Sequence, residues 1–286
     1  MIGLQDFTLE NIYDKLVHLP TFPKVVQNAL AILSDPNYQV SNLIEILKYD
    51  PAVTANLLKV VNSAHFGLRQ KVFDLASALP LLGAEKIREV LLASASMPYL
   101  IKPVSGYSIG GSGLWAHSMA SALTADILSA KCRFSDSSKL FTAALLHDIG
   151  KIAMNLYVGE KVGVIYNIAR EDGISFAEAE WRVLGADHAI IGSELLKHWD
   201  FPHDVVRSVR NHHDPDLYIQ DDLSAMLALS NILVVQLGIG VGAGEFRYRV
   251  HPELLSRLSI TRNDIHDCLV EVVQSYEESH DLLNLE

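Results

Sequence analysis

Apolar residues recur at helical spacing along almost the whole chain, and this repeat constrains the fold more than any other feature of the sequence. Val40, Leu43, Ile44 and Leu47 follow the i, i+3, i+4, i+7 pattern of one buried helix face. Val53, Leu57, Val60 and Val61 repeat it, as do Leu75, Ala78, Leu79 and Leu82, where Gly83 ends the run. Starts are marked as well. Asp35–Pro36 and Asp50–Pro51 each set a capping carboxylate before a proline that suits a first helical turn. Ser175 with Glu178 makes a capping box, and Thr261 with Asp264 a close variant. No convincing run alternates with the period of a strand. The expectation is an all-α fold.

Composition narrows this further. The 286 residues are 49% hydrophobic and 20% charged, the balance of a globular chain with a substantial core. That length suggests one large domain or two smaller ones. The net charge is −11 and no run of Lys and Arg offsets it, so nucleic acid is a poor partner. Cys132 and Cys268 lack CxxC spacing and read as reduced thiols of a cytoplasmic protein. The first residues carry acids early and do not read as a signal peptide. Leu223 to Gly244 has no charge and is long enough to span a bilayer, but Ser224, Ser230, Asn231, Gln236 and several glycines interrupt it. It reads as a buried helix and a glycine-rich loop, with no membrane partner. The stretch from Pro103 to Gly113 (PVSGYSIGGSG) has no periodic face and reads as a sub-domain boundary or a long loop. The stretch from Gly238 to Glu245 (GIGVGAGE) lacks the Gly-Lys-Ser/Thr ending of a phosphate loop.

The histidines carry the chemistry. Leu140 to Leu146 is apolar and helical, and it delivers His147 and Asp148 side by side, with Gly150 expected to break the helix. An imidazole and a carboxylate buried together are costly without partners. A divalent metal satisfies both, because neutral imidazole and ionised carboxylate are its preferred ligands. His117 lies in the first turn of the helix after the Gly/Ser stretch. His188 opens a helix, and His212 and His213 close one before Pro215. Residues at helix ends can converge in a bundle. Adjacent residues on a regular helix point about 100° apart, so His212 and His213 share a site only if that helix frays there, which Pro215 permits. The expected metal set is His117, His147, Asp148, His188, His212 and His213. The other histidines read as ordinary hydrogen-bonded residues. Lys151, one turn past Asp148, is a candidate phosphate contact or else a solvated surface lysine.

These residues resemble a known family. LLHDIGK, with its upstream and downstream histidines, looks like the HD superfamily of metal-dependent phosphohydrolases. LPTFPKVVQNALAILSDP, ILKYDPAVTANLLKVVNSAHFG and SALPLLGAEKIREVLLA resemble the HDOD domain, the HD-related output domain of bacterial signalling proteins. The likeness covers most of residues 15–240. It implies a helical bundle of HD-domain type with an additional N-terminal helical sub-domain. The implied division is residues 1–103, residues 114–240 with the histidine cluster, and a helical tail over 241–286. In the two-metal HD-GYP relatives, one metal takes the equivalents of His117, His147, Asp148 and a later aspartate. The second takes Asp148 as a bridge with His188, His212 and His213. Asn231 stands at the place of the later aspartate, and DPDLYIQ follows His213 where the GYP loop would be.

Two functions follow from the resemblance. One is a bacterial signal-transduction module that binds a signalling protein, with a retained or vestigial metal site. The other is a metal-dependent phosphohydrolase acting on a nucleotide or other phosphoester. The implied cofactor is one or two divalent ions of iron, manganese or another transition metal. In the NSAHFG motif, Asn62 and Gly67 read as helix-stop residues.

Overall fold

The computed structural model describes residues 21–63, 68, 70–242 and 250–283. The Leu19–Pro20 pair, the AHFG of residues 64–67 and the end of the GIGVGAGE stretch lie outside the described residues. Among those described are fourteen α-helices and no strand, apart from an isolated antiparallel bridge between Val104 and Ile109. The chain is all-α. It divides into two compact units at Pro98 and Tyr99.

The N-terminal unit holds α1 (Lys24–Leu33), α2 (Val40–Leu47), α3 (Pro51–Val61) and most of α4 (Leu75–Leu100). The periodic faces become its core: Val26, Ala29, Leu43, Leu47, Leu57, Val61, Ala78 and Leu79 are buried. Asp50 caps α3 as expected, accepting from the amides of Ala52 and Val53, each at 3.1 Å. Asp35–Pro36 does not start a helix. Asp35 Oδ1 accepts from Asn37 N at 2.8 Å, closing a turn, and α2 begins only at Val40. A short aspartate side chain serves a tight turn as readily as a helix start. Gly83 interrupts α4 with φ 74°. Asn62 does more than end α3. Its amide donates to Leu58 O at 2.8 Å and to Val72 O at 2.7 Å, and it accepts from Val72 N at 2.8 Å.

The C-terminal unit begins with a 3₁₀ turn (Ser105–Tyr107). It continues through α5 (Gly113–Cys132), α6 (Ser137–Leu146), α7 (Gly150–Glu171), α8 (Phe176–Leu184), α9 (His188–His198), α10 (His203–Asn211), α11 (Pro215–Tyr218), α12 (Asp222–Leu237), α13 (Leu254–Arg257) and α14 (Arg262–Leu283) as far as Tyr276. The uncharged run is α12, buried continuously from Leu223 to Val235, as a helix apolar all round must be. No helix among the described residues is long and apolar enough to cross a membrane. Lys131 of α5 pairs with Glu271 of α14 at 2.6 Å, and burial pushes the Cys268 thiol up to about 12.

Two glycine contacts position the site, and the first differs from the sequence expectation. Gly150 breaks nothing: α6 has already ended at Leu146, His147 to Ile149 form a turn, and Gly150 opens α7. A Cβ on Gly150 would lie 2.0 Å from His188 O and 2.5 Å from Gly192 N. α7 and α9 therefore touch through their backbones, and this draws Asp148 up to His188. The Pro103–Gly113 stretch is irregular and holds the Ser105–Tyr107 turn. Tyr107 is 2% exposed, and Gly106 packs on α7, donating from its amide to Asn155 Oδ1 at 2.7 Å.

Candidate metal centre

The cluster is assembled from helix ends. α6 is buried over Leu140 to Leu146 and hands His147 and Asp148 into the turn that follows. His117 comes from the second turn of α5 rather than the first, because the helix already starts at Gly113. Asp187 caps α9 by accepting from Ile190 N at 2.8 Å, which fixes His188 as its first residue. α10 stops at Asn211, so His212 and His213 leave the regular helix and their ring centroids lie 3.9 Å apart. All six expected side chains converge. Two overlapping groups, Asp148–His188–His212–His213 and His117–His147–Asp148, each have ligand atoms within 4.8 Å of one another.

Asp148 is the hinge between them. Its Oδ1 lies 3.2 Å from His188 Nε2 and 4.0 Å from His212 Nε2. Its Oδ2 lies 3.4 Å from His147 Nε2, 3.6 Å from His117 Nε2 and 2.8 Å from Lys151 Nζ. His188 Nε2 and His213 Nε2 are 2.8 Å apart. Lys151 is not a solvated surface lysine: it is 3% exposed, and its ammonium is bonded to Asp148. Asn231 of α12 sits where the sequence placed it, with its side-chain amide 3.1 Å from His117 Nε2.

The outer ring nitrogens explain which way the rings face. His147 Nδ1 donates to Ala144 O at 2.8 Å, His212 Nδ1 to Val209 O at 2.6 Å, and His117 Nδ1 to Ile239 O at 3.0 Å. His188 Nδ1 instead meets the carboxylate of Glu180 at 2.6 Å. Each bond spends Nδ1 and turns Nε2 inward, the arrangement that orients metal-binding imidazoles. The buried Nε2 atoms of His147 and His212 have no hydrogen-bond partner. Acceptors orphaned in the interior are expensive, and a cation satisfies them. The residues present fit a divalent metal.

The electrostatics agree. Burial drives His147 down to about 4 against the pull of Asp148, and burial holds His212 and His213 well below their usual range. These imidazoles are neutral near pH 7, the state that ligates. Burial opposes ionisation of Asp148, but the facing charges of His147 and Lys151 and the bond from His188 outweigh it and hold the carboxyl well below its usual value. His188 runs the other way. Burial would lower it, yet the Glu180 charge and the hydrogen bonds to Asp148 and Glu180 lift it to about 10. A metal at His188 Nε2 must therefore displace a proton.

Sequence reasoning missed Glu180 and Tyr107. Glu180 is 0% exposed, and its Oε1 accepts from the Tyr107 hydroxyl at 2.5 Å. The one available signal was a glutamate in register with the buried Phe176, Ala177, Ala179 and Leu184 of α8. His213 is the one cluster member that is only partly buried. It borders a cleft of about 340 Å³ whose walls include Glu178, Trp181, Asp187, Arg210 and Asp216.

The HDOD domain family matches residues 19–215. The chain belongs to the HDOD family. A solved HDOD domain protein of unknown function from Geobacter sulfurreducens is 23% identical, with a TM-score of 0.75 over 95% of this chain and 96% of that one. A protein from Marinobacter aquaeolei VT8, named provisionally for signal transduction, has a TM-score of 0.72 at 20% identity over 93% of this chain and 59% of its own. Another from Shewanella amazonensis SB2B, named provisionally as a phosphohydrolase, has a TM-score of 0.68 at 21% identity over 95% and 96%. The HDOD chain shares their fold. A curated relative, an uncharacterised protein of Treponema pallidum (strain Nichols), is 24% identical over 210 residues, 71% of this chain. The HDOD chain matches 39% of that relative's length.

Proposed function

We propose that this HDOD chain is a bacterial, cytoplasmic signalling regulator that acts through a protein partner and carries a divalent metal in the Asp148–His188–His212–His213 group. The observation that supports the metal is the inward pair of Nε2 atoms on His188 and His212, each with its Nδ1 already committed to a fixed acceptor. A bound ion would supply a cross-link between the His147–Ile149 turn and the ends of α9 and α10, together with Lewis acidity.

Three features favour regulation over hydrolysis. Asn231 offers the first group a neutral amide where a carboxylate would bind more tightly. The Asp148 Oδ2 that a bridging ligand needs is bonded to Lys151. The cleft beside His213 carries Glu178, Asp187, Asp214 and Asp216 against the single cation Arg210, a lining that repels a phosphoester.

Metal analysis of the purified chain, followed by assay of the loaded protein against nucleotides and cyclic dinucleotides, tests this reading. We expect close to one transition metal per chain and no phosphoester turnover above that of the Asp148→Ala variant. The second reading, a metal-dependent phosphohydrolase using Lys151 as a phosphate contact, draws on the complete ligand set of the second group. Turnover that appears with metal and vanishes in Asp148→Ala would replace the first reading with it.

A further inference from the structure

We infer that Glu180 is a positioning residue for the metal centre and that the Ser105–Tyr107 arm belongs to that centre because Tyr107 holds Glu180 in place. The inference rests on the metal reading above. None of these residues is a ligand; they act through His188.

A carboxyl group buried as deeply as Glu180 is costly unless its oxygens are filled. They are filled by three donors. Oε2 accepts from His188 Nδ1 at 2.6 Å and from the His188 backbone amide at 3.3 Å, while Oε1 accepts from the Tyr107 hydroxyl at 2.5 Å. Bonds to both oxygens fix the plane of the carboxylate, and the carboxylate fixes the plane of the imidazole. His188 Nε2 is thereby aimed at Asp148 Oδ1, 3.2 Å away. The rings of His117, His147 and His212 lean on main-chain carbonyls, which carry no full charge. His188 alone of these is backed by a carboxylate side chain. A carboxylate behind an imidazole makes it a better metal ligand and sets its tautomer.

Tyr107 is itself held. Its ring packs on Phe176 with centroids 5.7 Å apart and stands edge-on to His188 at 6.1 Å. Its neighbour Gly106 lies so close to α7 that a Cβ there would come 2.4 Å from Asn155 O and 2.8 Å from Gly159 N. The arm has one seat on α7, and a side chain at Gly106 would lift Tyr107 away from Glu180. This gives the glycine of the arm a role in metal binding at a residue that approaches no ligand itself.

Titration of the metal-free full chain with Mn²⁺ by calorimetry, and with Co²⁺ by visible absorption, tests the inference. Glu180→Gln should weaken metal binding by about 10–100-fold and alter the cobalt spectrum. The circular dichroism of its metal-free form should stay near that of the parent, and its urea midpoint should fall, because buried His188 loses its facing charge. Tyr107→Phe and Gly106→Ala, which keep the carboxylate, should weaken binding by less than Glu180→Gln does. Parent-like affinity in Glu180→Gln overturns the inference and leaves the metal reading standing, even if the metal-free variant is less stable. A parent that takes up no metal overturns the metal reading itself. If Glu180→Gln does not fold, Tyr107→Phe decides, and an unchanged affinity and cobalt spectrum there overturn the inference.

Discussion

The two halves of the cluster share Asp148 and hold their remaining ligands differently. On one side, His117 and His147 are oriented only by the carbonyls of Ile239 and Ala144, and the neighbouring Asn231 is a neutral amide. The Asp148 oxygen on that side is bonded to Lys151. On the other side, His188 is backed by Glu180, and the Asp148 oxygen facing it carries no lysine. Histidines occur in both halves; negative charge does not reach both equally. A site for a cation is graded by its carboxylates as well as by its imidazoles, and on that scale the His188 side is the stronger.

The largest expected effect removes both halves together. Gly150→Ala forces a Cβ into the backbone of α9, so the crossing that joins Asp148 to His188 must open. We expect a loss of about 3 kcal/mol of stability, at the upper end of overpacking costs, and loss of metal uptake. Normal uptake by a folded Gly150→Ala chain would show that the crossing does not set the site. Next in size is the contrast between His212→Ala and His117→Ala. The first should remove the bound metal, whereas the second should leave affinity within a few-fold of the parent. Equal losses by calorimetry would erase the distinction between the halves.

Asn231→Asp should sharpen it. A carboxylate beside His117 and Asp148 repels its neighbour in the metal-free protein, so the melting temperature in chelator should fall. With Mn²⁺ present it should rise more than the parent's, because the weaker half gains a charged ligand. The smallest effect is in pH. The folded pKa of His147, about 4, lies below the ordinary 6.5, so its contribution to stability is present above pH 6.5 and is lost as pH falls through about 4. The folded pKa of His188, about 10, lies above 6.5, so its contribution is complete below pH 6.5 and is lost as pH rises through about 10. Thermal melts of metal-free His147→Gln and His188→Gln across pH should flatten opposite limbs of the parent curve. Flattening of the same limb would contradict the assigned charges.

Much of the fold is legible in the sequence. The faces of α2 and α3, the Asp50 cap and the burial of α12 follow from spacing and from hydrogen bonds a few residues long. The ligand histidines stood out because they lie at helix ends, and Asn231 was marked by the family pattern. Asp35–Pro36 misled because a turn and a helix start use the same residues. Gly150 misled because a glycine allows close packing as well as a helix break, and composition does not separate the two.

By itself, then, the sequence determined the helices and the identity of the six candidate ligands, since both depend on local period and side-chain type. Only the tertiary structure decided that Tyr107 reaches Glu180 across 73 residues and that Lys151 is buried against Asp148. Those outcomes turn on which buried polar groups find partners, and partners are chosen by packing between helices that are remote along the chain.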